Sequence, residues 1–402
     1  MEKYEIAIIG GGMAGMITAL SLAKAGRSVV LIAGPARKDR RTTALMDQSI
    51  RFLDSLGVWE KMRPSAAALS TMQIIDGTSR LLRAPTVAFR SAELGLEAFG
   101  HNFPNEALIG VLEDMIAGED RITVVAGNAD SIAISEEGGS IRLQNGAALE
   151  ASFVVGADGR RSMVRESAGI TVRTWSYPQT ALVLNFSHSI PHHDISTEIH
   201  TETGPFTQVP LPGDRSSLVW VQKPENAARM AELPLEDISR MVETRMQSML
   251  GKVSVDAGPQ TWPLSGMVAS RFGAGRVALV GEAAHAFPPI GAQGLNLSLR
   301  DIIVLTEILS ANPGVPISRT AGDSFDRRRR ADVMTRTASV DLLNRSLLSN
   351  LIPVQMLRAA GLHLLSSLSP LRSLVMHEGI EPGGGLKSIP EGLREKVRRQ
   401  GS

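Results

Sequence analysis

The chain contains no cysteine, so disulfides, thiolate–metal sites and cysteine nucleophiles are excluded together. It has no excess of charge of either sign. Lys and Arg number 42 against 41 Asp and Glu, which leaves no field to steer a nucleic acid, and no nucleic-acid partner is expected. No apolar run reaches the length that spans a bilayer. The start, Met1-Glu2-Lys3-Tyr4, leads directly into a strand pattern and a glycine loop rather than a signal peptide, so the expected location is cytoplasmic. Nothing is repeated or of low complexity. The 402 residues suffice for two or three domains with ample cores.

What is present is a set of apolar strands that end in glycine. Residues 4–9 form a strand pattern, Gly10, Gly12 and Gly15 supply G-x-G-x-x-G, residues 16–25 read as a helix stopped by Gly26, and 28–33 read as a second strand. That is the βαβ setting the dinucleotide fingerprint requires: the glycines allow a tight turn, the approach of a pyrophosphate and close helix–strand packing. The second strand ends in Ala33, where an acid for the ribose hydroxyls is expected, so the ribose must be held otherwise. The basic stretch Arg37, Lys38, Arg40 and Arg41 could hold it or could be a solvated loop. From Arg41 a helix is expected, carrying Leu45, Ile50, Leu53 and Leu56 and stopped by Gly57.

Residues 72–75 and 94–99 look like strands of a separate sheet, 108–115 like a helix, 122–125 like a strand, and 131–134 with 140–143 like a hairpin around Gly138-Gly139. A second glycine-marked strand end follows at Phe153-Val154-Val155-Gly156-Ala157-Asp158-Gly159, which by itself is also a common turn. Short strand patterns then fill 174–264, with one helix at 235–250. The third strand end is Val277 to Val280, broken at Gly281 and followed by Glu282 and His285. A loop of Pro289, Gly291 and Gly294 then leads into a periodic helix from Leu295 and Asn296. Strand, glycine loop and helix N-terminus make a cradle for a polar or anionic group, or an ordinary βα connection.

The three motifs in this order resemble the flavin-dependent aromatic hydroxylases with the para-hydroxybenzoate hydroxylase fold. The likeness covers nearly the whole chain, and Pro288 to Asn296 is similar to the flavin-ring loop of that family almost residue for residue. Softer features, among them Arg41-Thr42-Thr43-Ala44-Leu45, Phe99-Gly100-His101-Asn102, Gly204-Pro205-Phe206 and Leu299-Arg300-Asp301, resemble its ubiquinone-biosynthesis branch.

The resemblance implies an α/β fold: a Rossmann-like FAD-binding domain (1–70, 98–172 and 265–325) with an inserted β-rich substrate domain (71–97 and 173–264). Beyond these it implies C-terminal helices at 326–380 and a flexible tail at 381–402. It implies FAD as cofactor, NAD(P)H and O2 as co-substrates, and transfer of one oxygen atom to an electron-rich ring, such as that of a polyprenylated phenol. A hydroxylase of a soluble aromatic and a flavin-binding scaffold subunit stay open beside that reading.

The cofactor residues implied are Gly10, Gly12, Met13, Ala14, Gly15, Arg41, Asp158, Gly159, Gly281, Glu282, Pro289, Gly291, Gly294, Leu295 and Asn296; Ser162 and Arg165 match the family's Asp-Gly motif. Glu282 stands where the family has Asp. No metal is expected. His285 reads as a base for the phenol or as a histidine satisfied by its surroundings. Phe206 and Trp220 read as walls of the substrate pocket or as core. Residues 342–377 hold no acid and many leucines; they read as core helices or as a surface for membrane lipid, a prenyl tail or a partner protein.

Overall fold

Five short runs with apolar stretches lie side by side as parallel strands. In the computed structural model their order is Val277–Leu279, Ala148–Gly156, Glu2–Ile9, Val29–Ala33, Ile122–Ala126. The structure describes residues 2–35, 39–78, 85–288, 293–312 and 314–348. Strands buried on both faces need helices on both sides. Helices Met13–Lys24, Asn105–Ala117 and Gln293–Ser310 supply apolar side chains to the same core as Ile6, Ile8, Leu31, Phe153 and Val155. The expected hairpin is present, with Ala129–Ile134 and Gly139–Leu143 pairing antiparallel and flanking the lower part of Ala148–Gly156. All three glycine motifs follow the carboxyl ends of parallel strands, the edge where open α/β sheets hold ligands.

A second, mostly antiparallel sheet has the order His285–Ala286, Gln260–Ala269, Val172–His188, Arg215–Gln222, Gly204–Leu211, Ile195–Thr201, Thr71–Asp76, Val87–Arg90. The sequence pattern suggested several short strands here, yet Val172–His188 is one strand of 17 residues. Its pairing with Gln260–Ala269 shifts register between Ser176 and Thr180, where Pro178 cannot donate to the ladder. Helices Pro224–Ala231 and Leu235–Arg245 cover one face, with Ala227, Met230, Ile238 and Val242 meeting Leu182, Leu184, Phe186 and Leu218. The strand Gln260–Ala269 runs past residue 264 and pairs with His285–Ala286, so the two sheets are stitched together beside the third glycine motif.

Two local expectations are corrected. Residues Thr42–Met46 are a strand rather than the opening of a helix, because they pair with Gly100–Pro104; the helix starts at Asp47. The strand expected at 94–99 lies at Gly100–Pro104, after a short turn of helix at Ser91–Leu94. The C-terminal helix is continuous over Ala321–Leu348 and so begins five residues before 326. The remainder of the 342–377 segment and the 381–402 tail lie outside the described residues. Among the described residues no helix is long and apolar enough to cross a membrane.

Candidate cofactor site

Close packing of backbone brings the three motifs together. Gly10 has φ +117°, and a Cβ added there would lie 2.3 Å from the Ala157 carbonyl oxygen of the second motif. A Cβ on Gly15 would sit 1.8 Å from the Gly10 oxygen, so the helix Met13–Lys24 can leave the strand at this angle only with glycine there. Gly281 turns at φ +60°, where an added Cβ would be 3.2 Å from Ala14 Cβ and 3.1 Å from Ser298 Oγ. The third motif therefore rests on the first turn of the first helix, which begins at Met13, with Ala14 against Gly281.

Gly12 differs from its neighbours. It caps the first helix with ordinary extended angles, φ −77° and ψ 175°, and an added Cβ would meet nothing within 4 Å. No side chain caps this helix and no acid stands in its first turn. Its first N–H groups and the helix dipole thus face open space suited to an anion.

The second motif carries an incompletely satisfied carboxylate. Asp158 Oδ2 accepts from the Met163 and Val164 amides at 2.7 and 3.2 Å, while its buried Oδ1 has no hydrogen-bond partner among the described residues. Burial pushes the Asp158 carboxyl above its ordinary range. Gly159 takes φ +79° with open space beside it. Ser162 caps the short helix Met163–Ser167 by accepting from the Arg165 amide at 3.0 Å. Arg165 is buried and donates to the Ala283 and Arg160 carbonyls at 3.0 and 2.9 Å, tying the second motif to the third.

The rim is charged. Arg41 makes a two-pronged contact with Asp39 at 2.7 Å on both oxygens, and Asn105 donates to the same carboxylate at 2.8 Å. Burial works against the Asp39 charge, but these donors outweigh it and hold the carboxyl below its ordinary range. The Arg41 guanidinium lies 4.9 Å from the ring centre of Trp262, an indole of the second sheet that is 43 % exposed. Glu282 is exposed and reaches Arg160 at 3.5 Å, and Arg160 also donates to Ser265 Oγ at 2.7 Å. Residues 36–38, and with them Arg37 and Lys38, lie outside the described residues, as do Pro289 and Gly291.

The other residues expected on the cofactor divide in two. Gly294 and Leu295 stand in the first turn of Gln293–Ser310, Gly294 with open space beside its Cα. Asn296 turns its side chain into the protein: Oδ1 accepts from the Met46 amide and Ser49 Oγ at 2.9 and 2.7 Å, and Nδ2 donates to Ala44 O at 2.9 Å. Its amide clamps strand Thr42–Met46 and the helix after it to the helix Gln293–Ser310.

His285 is 2 % exposed, stacks on Phe287, and donates Nε2 to Asp301 Oδ2 at 2.6 Å. Of its two readings, the geometry matches the satisfied histidine. Asp301, not among the expected site residues, also accepts from the Gly281 amide at 3.1 Å and from Arg329 Nε at 2.8 Å. Its signal was its spacing: Leu297, Asp301 and Leu305 fall four apart on one helix, placing an acid in the buried stripe.

Phe206 and Trp220 are buried edge to face at 5.1 Å in the core beneath the two covering helices. The pocket-wall expectation is corrected accordingly, because alternation along the strands turns their neighbours to the other face. That face meets the strand Gly100–Pro104 and the segment before Thr42–Met46: Asn102 donates to Pro210 O and Ser217 Oγ, and Asn185 to Arg40 O. Val183 pairs with Val219 on this side, beside Tyr177, Ala181, Val221 and Leu264.

The open space at Gly12, the acid-free helix start, the unpartnered Asp158 oxygen and the close seating of Gly281 fit a bound dinucleotide that lies across all three motifs. Comparison with known proteins agrees. Residues 3–337 match the FAD binding domain family, and the chain belongs to it. It is an FAD-dependent monooxygenase that hydroxylates a small aromatic.

The chain is 33 % identical to the ubiquinone hydroxylase UbiL of Rhodospirillum rubrum, over 96 % of this chain and 91 % of that protein. It is 29 % identical to the 3-demethoxyubiquinol 3-hydroxylase of Escherichia coli, over 90 % and 94 %. In fold it is similar to the p-nitrophenol 4-monooxygenase PnpA of Pseudomonas putida, with a TM-score of 0.77 at 20 % identity over 94 % and 99 % of the two chains.

Proposed function

We propose that this protein hydroxylates a polyprenylated phenol intermediate of ubiquinone biosynthesis, with NAD(P)H and O2 as co-substrates. One oxygen atom enters the ring and the other leaves as water, with NAD(P)H giving the electron pair. Bound FAD supplies the redox chemistry, taking a hydride and activating oxygen. Gly12 and the start of the first helix hold the pyrophosphate, Asp158 and Glu282 take polar groups of the cofactor, and the first turn of Gln293–Ser310 faces the flavin ring. We assign the first sheet to cofactor binding and the second to substrate, with the division near residues 70, 98, 172 and 265.

The observation that carries the substrate reading is the apolar patch of Ala181, Val183, Val219 and Val221 on one face of the second sheet; Arg215 and Glu198, further along that face, are paired with Asp256 and His200. Val183 is flanked in register by Gln260 and Val219, and Ala181 by Trp262 and Val221. Such a wall excludes water, which guards against loss of the activated oxygen as peroxide. The four patch residues carry no charged side chain to meet a ring carboxylate. Each buried methylene of a prenyl tail contributes about 0.8 kcal/mol, so the tail dominates affinity over the polar head.

The test compares one phenol with and without its prenyl chain, measuring binding, NAD(P)H oxidation and peroxide release. The prenylated compound is expected to bind more tightly and leak less peroxide. Equal binding and equally clean coupling of the bare phenol would move the reading to a soluble-aromatic hydroxylase. Neither compound being hydroxylated by FAD-loaded protein would favour a scaffold subunit.

A substrate that resides in lipid also calls for peripheral contact with a membrane or a biosynthetic complex, and the acid-free stretch 342–377 is the segment suited to it. Co-sedimentation with anionic vesicles, lost on truncation before 342, is the expected result; unchanged sedimentation of the truncated chain would reject this role.

A further inference from the structure

Arg327, Arg328, Arg329 and Arg330 form a run of four arginines on the C-terminal helix, and the ordinary fate of such a run is solvation. Three of them are exposed. Arg329 is 3 % exposed, on the same buried stripe as Phe325 and Val333. We infer that Arg329 is a positioning residue for the flavin-binding turn, acting through Asp301 on the Gly281 amide and the His285 ring. This rests on the reading of that turn as part of the FAD site.

The geometry is a fork. Arg329 Nε meets Asp301 Oδ1 at 2.8 Å, which leaves Oδ2 to hold the Gly281 amide at 3.1 Å and His285 Nε2 at 2.6 Å. Gly281 ends the third motif's strand and His285 begins the strand that joins the second sheet, so one carboxylate fixes both ends of the turn that carries Glu282. Arg329 Nη1 meets Asp332 at 2.5 Å, and Asp332 lies 3.6 Å from Arg300, which donates to Gln48. The C-terminal helix is thereby linked to both flanks of the cradle.

Stability alone is a poor account of the arrangement. Buried ion pairs seldom stabilise more than apolar side chains of similar volume, and Arg329 Nη2 is left buried without a hydrogen-bond partner among the described residues. A planar guanidinium does, however, set the plane and position of the carboxylate it meets.

The experiment titrates FAD into apoprotein by fluorescence, records the visible circular dichroism of bound flavin, and measures apoprotein melting. Arg329→Gln is expected to weaken FAD binding about tenfold or more, the scale of one charge-assisted hydrogen bond, and to alter the flavin dichroism. Arg329→Lys should recover part of both. Arg328→Gln breaks an exposed pair with Glu307 between the same two helices and should bind FAD as wild type does.

A folded Arg329→Gln protein with lowered melting but wild-type FAD affinity and dichroism overturns the inference. Should Arg329→Gln fail to fold, Arg329→Lys decides alone, with wild-type affinity and dichroism overturning the inference and a loss supporting it. Gly12→Val separates the two levels. Wild-type FAD binding in that variant sinks the site reading itself, while loss there beside wild-type binding in Arg329→Gln sinks only the role of Arg329.

Discussion

Gly12→Val should separate cofactor binding from folding. The backbone at Gly12 is already in a region open to any residue, and an added Cβ meets nothing within 4 Å. Valine is a poorer helix cap than glycine by up to about 1 kcal/mol, and the stiffer unfolded chain returns about 0.4–1 kcal/mol. The apoprotein should therefore melt close to wild type. The new methyl groups would occupy the space in front of the first helix, where a pyrophosphate accepts from the free N–H groups. Losing two charge-assisted hydrogen bonds, each worth about 1.5–3 kcal/mol, amounts to at least about 3 kcal/mol, or more than a hundredfold in affinity. Gly10→Ala is the opposite case. Its Cβ would sit 2.3 Å from the Ala157 oxygen at φ +117°, so it should destabilise the apoprotein itself. The assays are thermal melting without FAD and fluorescence titration with FAD. A Gly12→Val protein that melts normally and binds FAD within about threefold of wild type would refute the placement of the pyrophosphate.

If Glu282 takes the place of the family's Asp on the cofactor, Glu282→Asp should bind FAD at least as well, and Glu282→Ala should lose up to about 1.5–3 kcal/mol; equal dissociation constants would leave Glu282 only its exposed contact with Arg160. Asn296→Ala should lower melting by the equivalent of about 1–3 kcal/mol, since it removes the partners of the part-buried Met46 amide and Ala44 carbonyl and of the buried Ser49 hydroxyl, and a change under about 0.5 kcal/mol by denaturant unfolding would contradict the clamp. Asp301 is fully buried; burial alone would raise its carboxyl, but His285 and Arg329 outweigh that and hold it below the ordinary range. A depressed carboxyl contributes stability above its unfolded pKa of about 3.9, and that stability is lost as pH falls toward the folded value. Apoprotein melting should therefore fall more steeply below about pH 4 in wild type than in Asp301→Asn, and parallel curves would argue against an ionised Asp301.

Features that depend on near neighbours in sequence were legible. Gly10, Gly156 and Gly281 each end a short apolar strand, and the strands and helices around them fall where periodicity puts them. Features that depend on distant pairing were not. Thr42–Met46 reads as the start of a helix until Gly100–Pro104 arrives to pair with it. Asn296 reads as a cofactor ligand because its motif is one, yet the backbone of residues 44–46 claims its amide. Asp301 announced itself only as an acid in an apolar stripe, with no hint that Arg329, far along the chain, would meet it.

The reversal of the substrate face follows from the same limit and changes what the pocket can recognise. Strand alternation separates Leu182, Leu184 and Phe186 from Ala181, Val183 and Asn185, but does not say which set faces the cofactor. The amphipathic helices Pro224–Ala231 and Leu235–Arg245 settle it by claiming the first set, together with Phe206 and Trp220. The large aromatics thus anchor the sheet to its own helices, and smaller side chains take the opposite face. Val183 and Val219 pack beside the buried Ala181, and Asn185 and Ser217 border them in the next row. Arg41, whose guanidinium lies against Trp262, is already committed to Asp39. A soluble aromatic acid would have to break that pair and desolvate its own carboxylate, a cost of several kcal/mol with little return. A phenol bearing an apolar tail meets no such cost. On the proposed reading of a prenylated substrate, the exposed indole of Trp262 is a surface for the tail.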